Sequence, residues 1–494
     1  MTGIAVISGL VGLVWGIVLL RRGGLLAGCA VVLLSGICFS VPFWKTQLGP
    51  IPVTVDRIMF GALAIQYLLW RRWGWAEPKP IGPPEWLLVA LAGYMVFSTF
   101  RADYAATNYQ SVAWLAIYYL MPVGLYWIAR NTALAERDLR ALWGCLALLG
   151  VYLAVVSIAE RYELWALVVP RYIATTAAEG RMEFIGRARG PLLHPIGNGI
   201  LLATCLAAAL LAWPRWDRSG RLVLLFAAAL MLAAMYCTLT RSVWMGAALV
   251  VAILLAAGLP RAWRVAIFGG GALLLAALAM PRWDALVGFK RDRGLSARET
   301  AESVYLRPVL ARIAWNMLLD RPLLGCGYHQ YSTEHLAYTA DRATDLPVEK
   351  GRGYVQHNVF LALLAETGLV GLGLFVALLA VWSRDAWRLW RRTSLPVVHR
   401  QQGLLLLAAV AVYVVNGMFH DVSCIPMANM TLFFLAGVTE ASRPRSAACL
   451  AAPENRNRPA EPPELPALPP ATGIPAAVAS PTPWETFAES PPRA

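Results

Sequence analysis

Residues 357–375 read HNVFLALLAETGLVGLGLF. The run is apolar enough to cross a bilayer. Yet it opens on His357-Asn358 and carries Glu366-Thr367-Gly368 roughly 14 Å further along a helix axis. A segment that only had to dissolve in lipid would carry none of these groups, because ionisable side chains inside a span are costly and mark function. The stretch therefore predicts a membrane helix and a polar site at its beginning.

The rest of the chain agrees with the first half of that reading. Of 494 residues, 58% are hydrophobic and only 15% charged, and the mean hydropathy is +0.56. No soluble core hides so much apolar surface, so lipid must be the solvent for much of it. Apolar runs long enough to span recur at 4–20, 25–43, 51–70, 84–100, 111–129, 141–159, 191–213, 222–240, 243–259, 265–281, 357–382, 402–419 and 424–440. The expected fold is an all-α polytopic transmembrane bundle of about 12–13 spans. Residues 1–20 lack a basic leader and a small-residue cleavage site, so no cleavable signal is expected.

A net charge of +14 would suggest nucleic acid in a soluble protein. Here the arginines crowd alternate short connections: Arg21-Arg22, then Arg71, Arg72 and Lys79, then Arg130, Arg137 and Arg140. The series continues with Arg215, Arg218 and Arg221, with Arg261 and Arg264, and with the run from Arg384 to Arg400. By the positive-inside rule these connections are cytoplasmic, so the charge is topology and no nucleic-acid partner is expected. The N-terminus then faces out and the tail in. Five of the six histidines fall on the opposite, outer connections, two of which are long, about 160–190 and 282–356.

Three segments divide the chain: N-terminal spans over 1–180, a membrane domain over 181–440 that holds the outer loop 282–356, and a Pro/Ala-rich tail over 441–494 read as a disordered cytoplasmic extension. Of the eight cysteines, Cys326 and Cys424 could both face outward, as a disulfide or as packed thiols. No Cys/His spacing suggests a metal.

Within the outer loop, ESVYLRPVLARIAWNMLLD (302–320) has the period of an amphipathic helix, with Leu306, Val309, Leu310, Ile313 and Met317 on one face. Arg307 and Arg312 project from opposite flanks of that stripe. A turn enforced by Pro322, Gly325 and Gly327 follows in DRPLLGCGYHQY (320–331). Elsewhere TLTRS (238–242) puts Arg241 at the outer surface, where it is either a functional cation or a snorkelling one. GRARGPLLHPIGNG (186–199) adds Arg187, Arg189 and His194. Several cations and a titratable imidazole on one side of a membrane suit an anionic substrate at the bilayer surface.

Taken in order, TLTRSVWMG (238–246), RPVLARIAWNMLLDRPLLGCGYHQY (307–331) and HNVFLALLAETGLVGLGLF (357–375) resemble the O-antigen ligase family. That superfamily of polytopic membrane glycosyltransferases includes O-antigen polymerases and protein O-oligosaccharyltransferases. The resemblance covers about 180–380 and implies a GT-C-like helical fold in a bacterial inner membrane. It further implies transfer of a glycan from an undecaprenyl-diphosphate carrier to a glycolipid or other acceptor at the periplasmic face, without cofactor or metal. By motif position, the catalytic candidates are His357, Arg307 and Arg241. Substrate contacts would come from Arg189, Arg312, Asn358, Glu366 and His420, with Glu366 a possible partner of Arg241 and Asn358 a cap. The different-class alternative is a polysaccharide transporter or flippase, which would carry mid-membrane ionisable groups, such as Asp56-Arg57 or Glu366, and broken helices.

Overall fold

Helix starts are set by side chains that take up orphan amides of the first turn. Asp217 accepts from Gly220 N at 2.8 Å, Asn358 from Phe360 N at 2.9 Å and Leu361 N at 3.1 Å, and His194 from Gly197 N at 3.3 Å. The computed structural model describes residues 24–39, 43–76, 78–105, 107, 109–178, 184, 186–260, 262–264, 297–340 and 344–443, with backbone only at 214 and 297–305.

The long helices are α1 (Gly24–Cys38), α2 (Val55–Arg72), α3 (Pro83–Arg101), α4 (Gln110–Arg130), α5 (Glu136–Arg161) and α6 (Pro195–Ala212). They continue with α7 (Arg218–Cys237), α8 (Arg241–Gly258), α9 (Ala297–Asp320), α10 (Val359–Arg391), α11 (Val397–Gly417) and α12 (Pro426–Ala441). A two-stranded hairpin, Thr46–Leu48 with Ile51–Val53, precedes α2. Every candidate span within the described residues coincides with a helix. Seven of them, α4 to α8, α10 and α11, are long and apolar enough to cross a membrane. The runs 4–20 and 265–281 and the tail 444–494 lie outside the described residues.

Helix α6 sits at the centre, packed on α5, α7, α8, α11 and α12. Its small residues allow this: a side chain at Gly199 would strike Val243 of α8. Because α5 packs along both α6 and α7, contacts run across the expected division at residue 180. At the periphery, Leu222, Val223 and Phe226 of α7 are 67–70% exposed, which is stable only where lipid replaces water.

The cytoplasm-type connections carry their own pairings. Glu85 takes Arg130 Nε at 2.7 Å and the Tyr126 hydroxyl at 2.7 Å, and buried Asp385 gathers Arg384 and Arg443 at 2.9 Å each. Two helices carry a basic residue at one end and a candidate histidine at the other: His194 opens α6 and Arg215 follows it, and His357 precedes α10 while Arg391 ends it.

Helix α9 begins at 297 rather than 302, so Pro308 falls inside it. The expected stripe is real: Leu306, Val309, Leu310, Ile313 and Met317 are all buried, and α9 lies against α10. Cys326 and Cys424 are free thiols. The first lies against the Gly327 carbonyl and the second against Asp421.

Candidate active site

Glycine decides the local geometry. Helix α10 breaks at Gly368, whose φ of 64° and ψ of −166° are not helical. The Pro-Gly turn fills the break. Leu369 N donates to Pro322 O at 2.9 Å, Cys326 N to Ala365 O at 3.0 Å and Gly327 N to Glu366 O at 2.8 Å. The fit leaves no space for a side chain: a Cβ on Gly325 would lie 2.4 Å from the Glu366 carbonyl, and one on Gly368 2.3 Å from the Leu323 carbonyl. Tyr94 and Arg101 of α3 complete the junction, donating to Thr367 O at 2.6 Å and Gly325 O at 2.8 Å.

This junction explains Glu366. Its carboxylate accepts the amides of His329 at 2.9 Å and Tyr331 at 3.1 Å. Of the two roles open to it, a pairing with Arg241 or a structural hydrogen bond, Glu366 takes the second and holds the loop that follows the turn. His329, at φ 60°, stacks on Trp114 with ring centroids 4.0 Å apart. Burial holds its imidazole at about 4.

Beside this junction lies a cavity of about 460 Å³ whose wall includes Arg307, His357, Glu366, His420 and Asp421. It opens among the connections opposite the arginine-rich ones. Arg307 projects from α9 with its guanidinium 5.3 Å above the Phe419 ring. Among the described residues no carboxylate pairs with it. Burial and then the charge of Arg241 lower its proton affinity, so Arg241 lies within electrostatic reach although it does not line the cavity. His357 is held below the ordinary imidazole value by burial and by Arg307, against a smaller upward pull from Asp421. His420 is driven well down, first by burial and then by Arg307, Arg187 and His194. At neutral pH these imidazoles are uncharged and able to accept a proton or donate an N–H. Asp421, raised mainly by burial, is held within its own loop by Ser423 N at 3.1 Å and Cys424 Sγ at 3.2 Å.

Other expected contacts fall elsewhere. Arg189 is 2% exposed and locked to Glu160 at 2.8 Å. The same carboxylate also takes the amides of Arg189 and Gly190 at 2.8 Å each. Arg189 is thus part of the scaffold, a correction that follows from a buried carboxylate needing a partner. Arg312 is half-buried on the far flank of α9 and does not line the cavity. Asn358 caps α10 and donates to Met418 O at 2.9 Å, tying the mouth of α10 to the end of α11. Sequence reasoning named Arg187 among the outer cations without giving it a role and did not single out Trp114 or Tyr331, all of which line the cavity. Only the aromatic crowding of CGYHQY (326–331) hinted at such a wall.

A helical multi-pass membrane protein, with cations and neutral imidazoles converging on one cavity at the ends of its helices, is the class that this fold and site define. Residues 226–376 match the family described as O-antigen ligase, which supports an assignment to that family. The match supports a membrane glycosyltransferase of ligase or polymerase type, a family whose substrate is a lipid-linked glycan. No curated protein matches the chain.

Proposed function

We propose that this protein transfers a glycan from an undecaprenyl-diphosphate carrier to a glycolipid acceptor of the lipid A core type at the periplasmic face of a bacterial inner membrane. The observation that carries the reading is the convergence of Arg307 and His357 on one cavity, with Arg241 close behind. Breaking the bond between the anomeric carbon and the phosphate oxygen builds charge on a diphosphate leaving group. Guanidiniums fixed in a partly dehydrated site stabilise that charge in a bidentate manner. As the acceptor oxygen bonds to the anomeric carbon, its proton passes to the neutral imidazole of His357. Attack opposite the leaving group inverts the centre. No divalent metal is required by this scheme, and among the described residues no three metal-ligating groups gather.

The break in α10 is a feature that a transporter would also show. Here it is sealed by the 322–327 turn, and Asp56 sits in the first turn of α2 with the Thr54 hydroxyl at 2.5 Å. Both observations favour the enzyme. The test supplies purified protein with a lipid-diphosphate glycan and candidate acceptors, with and without EDTA. Glycosylated lipid A core is expected in both. A lengthened lipid-linked glycan would make it a polymerase, a glycosylated protein an oligosaccharyltransferase, and no transfer at all would remove the reading.

A further inference from the structure

The segment GRARGPLLHP (186–195) offers two arginines and a histidine, and the fold sends them to different places. Arg189 turns inward to Glu160. Arg187 turns to the cavity, where its Nε donates to Thr238 O at 3.1 Å and its Nη2 to Thr240 Oγ1 at 2.5 Å. Its guanidinium lies 4.9 Å over the Phe184 ring. The ring of His194 meets the same Phe184 at 5.4 Å. These contacts fix a cation and an imidazole side by side with little freedom to reorient.

The tautomer of His194 follows from its cap. Nδ1 accepts the Gly197 amide, so the ring proton of the neutral imidazole is on Nε2. Burial and then Arg187 hold the group at about 4, so it stays neutral near pH 7. His194 is thus an N–H donor at the cavity wall, unsuited to act as a base because its one acceptor nitrogen is engaged. Among the described residues, the carboxylates in that wall are engaged elsewhere: Asp421 by Ser423 and Cys424, Glu366 by two amides. Arg307 lines the same cavity.

Resting on the reading of the cavity as a lipid-diphosphate site, we propose that Arg187 and His194 form a second phosphate-binding corner. They hold one phosphate group of the carrier while Arg307 holds the other. A fixed guanidinium and a neutral N–H both donate to phosphate oxygens, the guanidinium through charge-assisted bonds. Arg187 is held to the turn ahead of α8 through Thr238 and Thr240. The corner and Arg241, the first residue of α8, are therefore set by one piece of backbone.

The probe is inorganic pyrophosphate, titrated into the full-length protein in detergent and read by calorimetry beside the melting temperature. His194→Asn keeps an oxygen that can accept the Gly197 amide and removes the Nε2 donor. Its affinity should fall roughly tenfold at an unchanged melting temperature, as expected for a hydrogen bond to a charged group. Arg187→Lys, which keeps the charge but not the fork, should also lose about tenfold. Arg307→Ala is the benchmark for the site itself. If it weakens pyrophosphate while His194→Asn and Arg187→Lys both bind like the parent, the corner is wrong and the site stands. If Arg307→Ala binds like the parent, the phosphates are not in this cavity and the functional reading fails with it. Should His194→Asn not fold, Arg187→Lys alone decides.

Discussion

Glu366 lies in an apolar helix two residues before its break, yet its carboxylate oxygen is 2.9 Å from the backbone nitrogen of His329, thirty-seven residues earlier in the chain. The second oxygen takes Tyr331 N at 3.1 Å. Glu366→Gln turns one of these acceptors into a donor facing a donor, at a cost of about 1–3 kcal/mol for the orphaned buried amide. Transfer is expected to drop at least tenfold in a protein that still inserts, and amide exchange at His329 and Tyr331 should speed up. Unchanged exchange at both would mean that the carboxylate does not hold this loop.

The junction at Gly368 has an internal comparison. Gly368→Ala puts a Cβ 2.3 Å from the Leu323 carbonyl at a φ of 64°, whereas Gly373 of the same helix has no atom within 4 Å of its added Cβ. The first variant should lose most of its folded yield in detergent, measured by size-exclusion fluorescence. Gly373→Ala should match or slightly exceed the parent, since alanine is the better helix former.

Acid should act on this protein in two ways. Burial and Arg307 hold His357 low, so its base form persists below the pH at which a free imidazole protonates. The acid limb of the transfer profile should lie correspondingly low, with His357→Ala reducing the rate by about 10²–10⁴ throughout. In Arg307→Ala the depressing charge is gone, the histidine protonates more easily, and the limb in the residual activity should move to higher pH. Stability has its own window. His194 and His329 sit at about 4 in the folded state against an ordinary 6.5, so the unfolded chain binds more protons between these values. Melting temperature should fall as pH drops from about 6.5 and level off near 4. A flat profile across that window would contradict the buried, neutral state of both rings.

Arg189→Ala tests the correction made above. Removing one partner of a buried pair leaves Glu160 uncompensated, worth about 3–5 kcal/mol. The expected phenotype is poor folding, with the pyrophosphate affinity of the surviving folded fraction unchanged. Arg312→Ala should be mild in both respects.

Orientation can be tested at Thr344, in the long connection ahead of α10. A cysteine there should react with a membrane-impermeant maleimide in intact spheroplasts. Labelling only after permeabilisation would put the cavity on the cytoplasmic side.

Much of the fold was legible because span length and hydropathy are imposed by the bilayer itself, whatever the helices touch. The amphipathic face of α9 and the cap at Asn358 were legible for a similar reason, since both are local. His357 and Arg307 were found through motif position, Glu366 as an ionisable group in an apolar run and His420 as an outer-side histidine, and the four share a wall. What sequence could not supply was pairing at a distance. Arg187 and Arg189 look alike until Glu160, at the far end of α5, claims one of them. Nor did the sequence disclose that α10 would break at Gly368 or that residues 322–327 would fill the break.

The family match stops well short of the cavity's own limits. Trp114, Arg187, His194, Phe419 and His420 stand in the wall but outside residues 226–376. The matched segment supplies Arg241, Arg307 and His357 but not the far side of the chamber, which α4, α6 and α11 carry in. The proposed site is therefore not a portable cassette. A chimera that exchanged only residues 226–376 with another family member would place two half-cavities of separate ancestry face to face. Such an exchange would have to take in both flanks, from Trp114 to Cys424, to carry a whole site across.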